Sequence, residues 1–77
     1  MKIKVIVTLK EGVLDPQGKA IQQTLNGMDF SEVNQVRQGK YFDIEVNTSD
    51  EKNAKFKVEE MCKKLLANLV IEDYKIL

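Results

Sequence analysis

From Lys2 to Lys10 apolar and polar residues alternate: Ile3, Val5, Val7 and Leu9 interleave with Lys2, Lys4, Thr8 and Lys10. That period-two pattern predicts a strand with one apolar face, with Ile6 the one apolar residue on the polar side. Glu11 to Leu14 then connects to a helix start. Asp15 is a good N-cap, because its carboxylate can accept from the free N–H groups of a first turn, and Pro16 suits the first helical position. Ile21, Leu25 and Met28 follow the i, i+4, i+7 spacing of an amphipathic helix, flanked by Ala20 and Thr24. Asn26-Gly27 ends this helix in a way that tolerates a left-handed residue.

Glu32 to Val46 is extended, with Phe42, Ile44 and Val46 facing one way and Tyr41, Asp43 and Glu45 the other. Gly39 interrupts the run. It reads either as a tight hairpin turn with Gln38 or Lys40, joining two antiparallel strands, or as a bend in one long strand. Val33 and Val36 have opposite parity and leave the faces of the first arm unassigned. Thr48 with Glu51 three residues later has the capping-box pattern. The helix that follows carries Ala54, Val58, Met61, Cys62, Leu65 and Leu66 on one stripe and ends near Asn68. Phe56 lies about 160° round from Val58, off that stripe. Leu69 to Leu77 supplies a connector and a last strand, with Tyr74 and Ile76 on one face.

The order is strand, helix, strand, strand, helix, strand. It predicts a single α+β domain over residues 1–77, an antiparallel sheet with two helices on one face in the manner of a ferredoxin-like plait. The other sheet face has no cover from its own chain. Ile6 and Tyr41 point there and Phe56 sits on the outer side of a helix, which makes these three the candidates for a homodimer interface.

Size sharpens this expectation. A chain of 77 residues buries roughly 60% of its unfolded surface, and its core rarely supplies more than about 3–5 kcal/mol. Disulfides or a structural metal are the usual supplements, but there is one cysteine, Cys62, and no histidine, so neither an internal disulfide nor a structural zinc site is available. Oligomerisation or docking on another protein remains. The 12 Lys and Arg balance 12 Asp and Glu and are spread along the chain, which argues against a phosphate-tracking nucleic-acid binder. No apolar run approaches membrane-spanning length, and the alternating start is unlike a signal-peptide core. The expected setting is the cytoplasm, where a lone reduced cysteine is ordinary.

Catalytic templates find little. Nucleophilic triads need a base beside the nucleophile, and Cys62 falls within the apolar stripe, where a thiol is inert packing. Asp43 and Glu45 share a strand face, but their alternation with apolar residues is that of a solvated face. Asp50-Glu51 and Glu72-Asp73 are acidic pairs of the kind that hold Mg²⁺, yet the first caps a helix, the second opens a strand, and neither brings a third ligand. Gly12 and Gly18 flank a helix start without G-x-G-x-x-G or G-K-[ST] spacing. Arg37 and Lys40 place two cations around Gly39, suited to a phosphate or carboxylate on a partner or simply to a solvated turn.

Three segments carry more: VTLKEGVLDPQGKAI (residues 7–21), VRQGKYFDIEV (residues 36–46) and MCKKLLANLVIEDYKI (residues 61–76). In these, and in order and length through nearly the whole chain, the sequence resembles the PurS family, the small subunit of phosphoribosylformylglycinamidine synthase in purine biosynthesis. The resemblance implies a non-catalytic subunit of an ATP-dependent, glutamine-using ligase. In such a complex a large PurL-type subunit binds ATP, Mg²⁺ and the formylglycinamide ribonucleotide, and a PurQ-type glutaminase releases ammonia with its own cysteine. The small subunit, a homodimer or higher oligomer, brings the two together and supports ammonia transfer, binding no cofactor itself. Contacts to those partners are expected from residues the local structure does not need: Leu14, Pro16, Gln17 and Gly18 at the helix start, Arg37 and Lys40 at the turn, and Asn68, Glu72, Asp73 and Tyr74 near the last strand. The alternatives are an ACT-like regulatory module that binds a small effector between subunits, and a nucleic-acid-binding plait. For the latter only Tyr41 offers a stacking surface.

Overall fold

The computed structural model describes residues 1–77. The alternating run forms β1 (Lys2–Leu9), the central strand of a three-stranded antiparallel sheet in the order β2-β1-β3. Its partners are β2 (Gly39–Glu45) and β3 (Glu72–Ile76). The register pairs Val5 with Phe42 and Val7 with Tyr74, so the apolar alternation of all three strands falls on one face. The opposite face sets Lys2 against Glu45 and Lys4 against Asp43, with Ile6 between Tyr41 and Lys75. Opposite charges directly across a ladder stabilise it modestly, and this face is largely a solvated one.

Helix α1 (Pro16–Gly27) begins where the N-cap pattern places it: Asp15 accepts from the N–H of Gly18. It ends at Gly27, but the left-handed residue is Asp29, at φ +73°, rather than Asn26 or Gly27. The Asn26 side chain instead donates to the carbonyls of Phe30 (2.9 Å) and Val33 (3.1 Å), fastening the turn that follows. Helix α2 (Glu51–Met61) is capped by Asp50, whose carboxylate accepts from the N–H groups of Lys52 and Asn53. The N-cap therefore lies two residues beyond the Thr48 of the expected capping box. Thr48 serves one step earlier, its hydroxyl accepting the Asp50 N–H.

The α+β class and the antiparallel sheet are as the sequence predicts, with three differences of detail. The arm before Gly39 is not a strand, so Gly39 is neither a hairpin turn nor a bend in a longer strand. Its neighbour Gln38 spends its N–H on the Asp15 carboxylate, and Val36 packs its carbonyl against Gly18. With Val33 and Val36 out of phase, this arm has no apolar face to set on the sheet. Gly39 itself opens β2 opposite Thr8, where a Cβ would lie 2.6 Å from the Val7 carbonyl oxygen.

The second difference is the end of α2, where a wide π turn runs from Cys62 to Leu66, closed by the Ala67 N–H donating to the Cys62 carbonyl. The wider i→i+5 closure keeps both Cys62 and Ala67 on the core. Ile3, Val5, Val7, Ala54, Val58, Cys62 and Ala67 form that core, with Phe42, Ile44, Tyr74 and Ile76 at its margin. The same closure carries Leu65 out of the expected stripe into solvent, and Met61, the last residue of α2 before the turn, is also exposed. The third difference is that α2 is the helix that packs on the sheet, whereas α1, expected on the same face, makes at most marginal contact with it. The molecule measures 48 × 24 × 14 Å with a radius of gyration of 16.0 Å, against about 11–12 Å for a compact domain of this length.

Candidate functional site

The polar residues of interest gather where β1 ends and β2 and β3 begin. Asp15 is the hub. One carboxylate oxygen accepts the Gly18 N–H at 2.9 Å and the other the Gln38 N–H at 2.8 Å. Arg37 turns its guanidinium back to donate to the carbonyls of Leu9 (3.2 Å) and Lys10 (3.1 Å). Gln38 donates its side-chain amide to Gln17 at 2.7 Å. These bonds fix the start of α1 to the start of β2 and the end of β1, and so set the direction in which α1 leaves the sheet.

Beside this hub, Lys40 lies 3.8 Å from Glu72 and Lys10 lies 3.3 Å from Asp73. The other Glu72 oxygen accepts the Asn68 N–H at 2.7 Å, and the Asn68 side chain accepts the Val70 N–H. The result is a shallow cleft of about 170 Å³ floored by Val7 and Leu9 and rimmed by Asp15, Gln17, Gln38, Lys40 and Glu72. A neighbouring concavity of about 180 Å³ has Leu14, Lys19, Gln22 and Arg37 on its walls. The two backbone N–H groups from Gln38 and Gly18, helped by the nearby Arg37 charge, hold the Asp15 carboxyl below its ordinary range. Burial, with Glu59 adding to it, pushes the Cys62 thiol up.

The acidic residues that invited a catalytic reading are occupied by the fold. Asp50 caps α2, Glu51 pairs with Lys55 at 3.3 Å, and Glu72 and Asp73 are paired as above. Asp43 and Glu45 face Lys4 and Lys2 across the ladder. What this end of the molecule offers is a surface of fixed hydrogen-bonding groups with an apolar floor.

Of the residues expected at partner contacts, the structure brings Leu14, Pro16, Gln17, Arg37, Lys40, Asn68, Glu72 and Asp73 to this one end. Leu14 is 71% exposed there. Gly18 is buried, because a Cβ would run into the Val36 carbonyl oxygen, and Tyr74 points inward to the margin of the core. Ile6 and Tyr41 are opposite one another on the outer sheet face, and Phe56 stands exposed on α2. The reach of Asp15 to Gln38 was not legible in sequence, since nothing local marks a bond across 23 residues. The exposure of Leu65 escapes the sequence pattern because the stripe assumes an unbroken α-helical turn.

Comparison with known proteins supplies a lineage for this chain. The family model for PurS, phosphoribosylformylglycinamidine (FGAM) synthase, matches residues 2–77. The phosphoribosylformylglycinamidine synthase subunit PurS of Bacillus subtilis is 54% identical over 74 residues, spanning 96% of this chain and 87% of the relative. That of Methanocaldococcus jannaschii is 51% identical over 75 residues, 97% of this chain and 90% of the relative. Among solved structures, a chain in the structure of PurLQS from Thermotoga maritima superposes with a TM-score of 0.90 at 30% identity, covering 99% of this chain and 93% of that one. On residues, length and fold alike, the chain belongs to the PurS family of phosphoribosylformylglycinamidine synthase subunits.

Proposed function

We propose that this chain is the small, non-catalytic subunit that docks a glutaminase subunit onto an ATP-dependent synthetase subunit and supports the transfer of ammonia between them. The observation that carries the reading is its near full-length superposition on a chain of the Thermotoga maritima PurLQS structure. The composition of the polar end supports it. Gln17, Arg37, Lys40, Glu72 and Asp73 are presented there by hydrogen bonds and ion pairs that keep them in place before a partner arrives, and preorganised groups lose less freedom on binding.

Chemically, such a subunit acts through orientation. Ammonia released into neutral water is protonated and loses its nucleophilicity, so two active sites must be held in a fixed relation while it passes. A rigid body with a fixed docking end meets that need. ATP and Mg²⁺ belong to the large subunit, and the chain works as a homodimer or higher oligomer in the cytoplasm. No helix here is long and apolar enough to cross a membrane.

The test is reconstitution. The purified chain is mixed with the large and glutaminase subunits, ATP, glutamine and formylglycinamide ribonucleotide. Glutamine-dependent turnover is expected only when the chain is present. Full turnover without it, or no co-elution under any combination of these ligands, overturns the reading.

A further inference from the structure

The polar end of the molecule is assembled from two bodies. Lys40 on β2 and Glu72 and Asp73 on β3 belong to the sheet, whose ladders with β1 fix them to one another. Leu14 and Gln17 belong to the start of α1, which makes at most marginal contact with the sheet. Polar bonds at the root of the helix join the two. The Asp15 carboxylate accepts the Gln38 N–H at 2.8 Å, and the Gln38 side chain donates to Gln17 at 2.7 Å. Arg37, next to Gln38, is tied in turn to the Leu9 and Lys10 carbonyls. Asp15 is the one charged side chain that the fold buries. Capping a helix does not require this, because Asp50 caps α2 from an exposed position with one carboxylate oxygen. Burying a carboxylate is costly unless hydrogen bonds satisfy it, and the second Asp15 oxygen is satisfied across the joint.

We infer that Asp15 is a positioning residue for ammonia transfer: through Gln38 it holds the α1 part of the polar end in one relation to the sheet part, and so fixes the relation of the two active sites that the subunit brings together. The inference rests on the docking function proposed above and deepens it by assigning the joint on which that relation depends. The lever is long. A helix of 12 residues spans about 18 Å, so a tilt of about 10° at its root carries its far end through about 3 Å. Displacements of that size decide whether a released group meets its acceptor. With the bridge gone every docking side chain is still present, so the partners still bind. Their mutual orientation is no longer held, and ammonia escapes to water and is protonated there.

The experiment uses the reconstituted complex of all three subunits and two substitutions that remove the bridge from opposite sides. Asp15→Asn keeps a carbonyl oxygen for the Gly18 N–H, as a helix cap needs, and sets an amide group where the second oxygen stood. Gln38→Pro leaves Asp15 in place and removes the N–H donor, and the Gln17 bond with it. Chemical denaturation establishes that each variant is folded under assay conditions. With the chain at saturating concentration, the unmodified complex is expected to consume glutamine and form amidine in equal amounts. Each variant is expected to consume glutamine in excess of amidine by roughly 3-fold or more, and added ammonium restores amidine formation. The double variant leaks no more than Gln38→Pro alone, because both changes remove the same bond. A merely structural role lowers glutamine consumption and amidine formation together, at a fixed ratio, and excess chain restores both. That result overturns the inference, as do equal consumption and formation in a folded variant. Should one variant not fold, the other decides; loss of folding in both also overturns it, since the bond then serves the fold itself. The subunit assignment fails separately, if the unmodified chain gives no glutamine-dependent turnover with the large and glutaminase subunits.

Discussion

The Asp15 carboxylate accepts the backbone N–H of Gln38 at 2.8 Å, across 23 residues of sequence, while its other oxygen caps α1 through Gly18. One side chain thus caps the start of a helix and anchors the strand that follows it. The direction of α1, and with it the geometry of the whole elongated molecule, depends on this pair.

The first prediction concerns pH. Because hydrogen bonds from Gln38 and then Gly18 favour the ionised form, Asp15 titrates below its ordinary 3.8. A carboxylate with a depressed folded-state value contributes stability that is fully present above the unfolded value and lost as pH falls through the folded one. Asp15→Asn should therefore unfold at lower urea than the unmodified chain at neutral pH, with the difference shrinking once the pH falls below 3.8. Urea titrations across that range check it. A difference that stays constant down to strong acid denies the carboxylate this role.

Gly18 separates a structural from a contact role. Sequence alone offers it as part of a partner surface, but in the structure its missing side chain is what lets the Val36 carbonyl and the Asp15 carboxylate close on the helix start. Gly18→Ala is expected to cost about 1–3 kcal/mol, in the range of overpacked sites, measured by chemical denaturation. An unchanged midpoint would mean that the connector is loose enough to move aside.

Cys62 provides a probe of the core. Burial first, and Glu59 second, raise its thiol above the ordinary 9.0, so the neutral thiol is the form the fold favours. The associated stability is intact below 9.0 and declines as pH rises beyond it. A disulfide reagent at mildly alkaline pH should modify the folded chain more slowly than the urea-unfolded chain by on the order of 100-fold or more. Equal rates would place the thiol on the surface.

Asp15, Gly18 and Cys62 also mark how far local sequence patterns reach into this fold. The alternation through β1 and the Asp15-Pro16 start of α1 are local patterns, and each is realised where it stands in sequence. The π turn is not a local pattern. Cys62, Leu65 and Leu66 fit an α-helical stripe, and only the need to set Ala67 on the core selects the wider turn that turns Leu65 outward. The arm before Gly39 fails as a strand for a related reason: the Gln38 N–H is spent on the Asp15 carboxylate rather than on a sheet edge. For the candidate site, the residue types were visible in sequence. Their convergence was not, because it follows from the antiparallel register that sets Gly39 and Glu72 beside Thr8 and Leu9.

Leu14 offers the sharpest test of where that convergence leads. It precedes the N-cap, stands 71% exposed beside Arg37 in the concavity next to the polar cleft, and belongs to no core cluster. Surface substitutions of this kind usually change stability by no more than about 0.5 kcal/mol, so Leu14→Asp should fold and self-associate like the unmodified chain. Placed in a docking surface, the same change sets a desolvated charge against the partner, and binding should weaken by roughly 10-fold or more. The measurement is co-elution with the large and glutaminase subunits, together with glutamine-dependent turnover at limiting chain concentration. Turnover that recovers when the variant is supplied in excess locates the defect in docking at this end. Wild-type behaviour throughout would move the docking surface away from Leu14, toward the Lys40–Glu72 side of the cleft or the exposed face of α2 around Phe56.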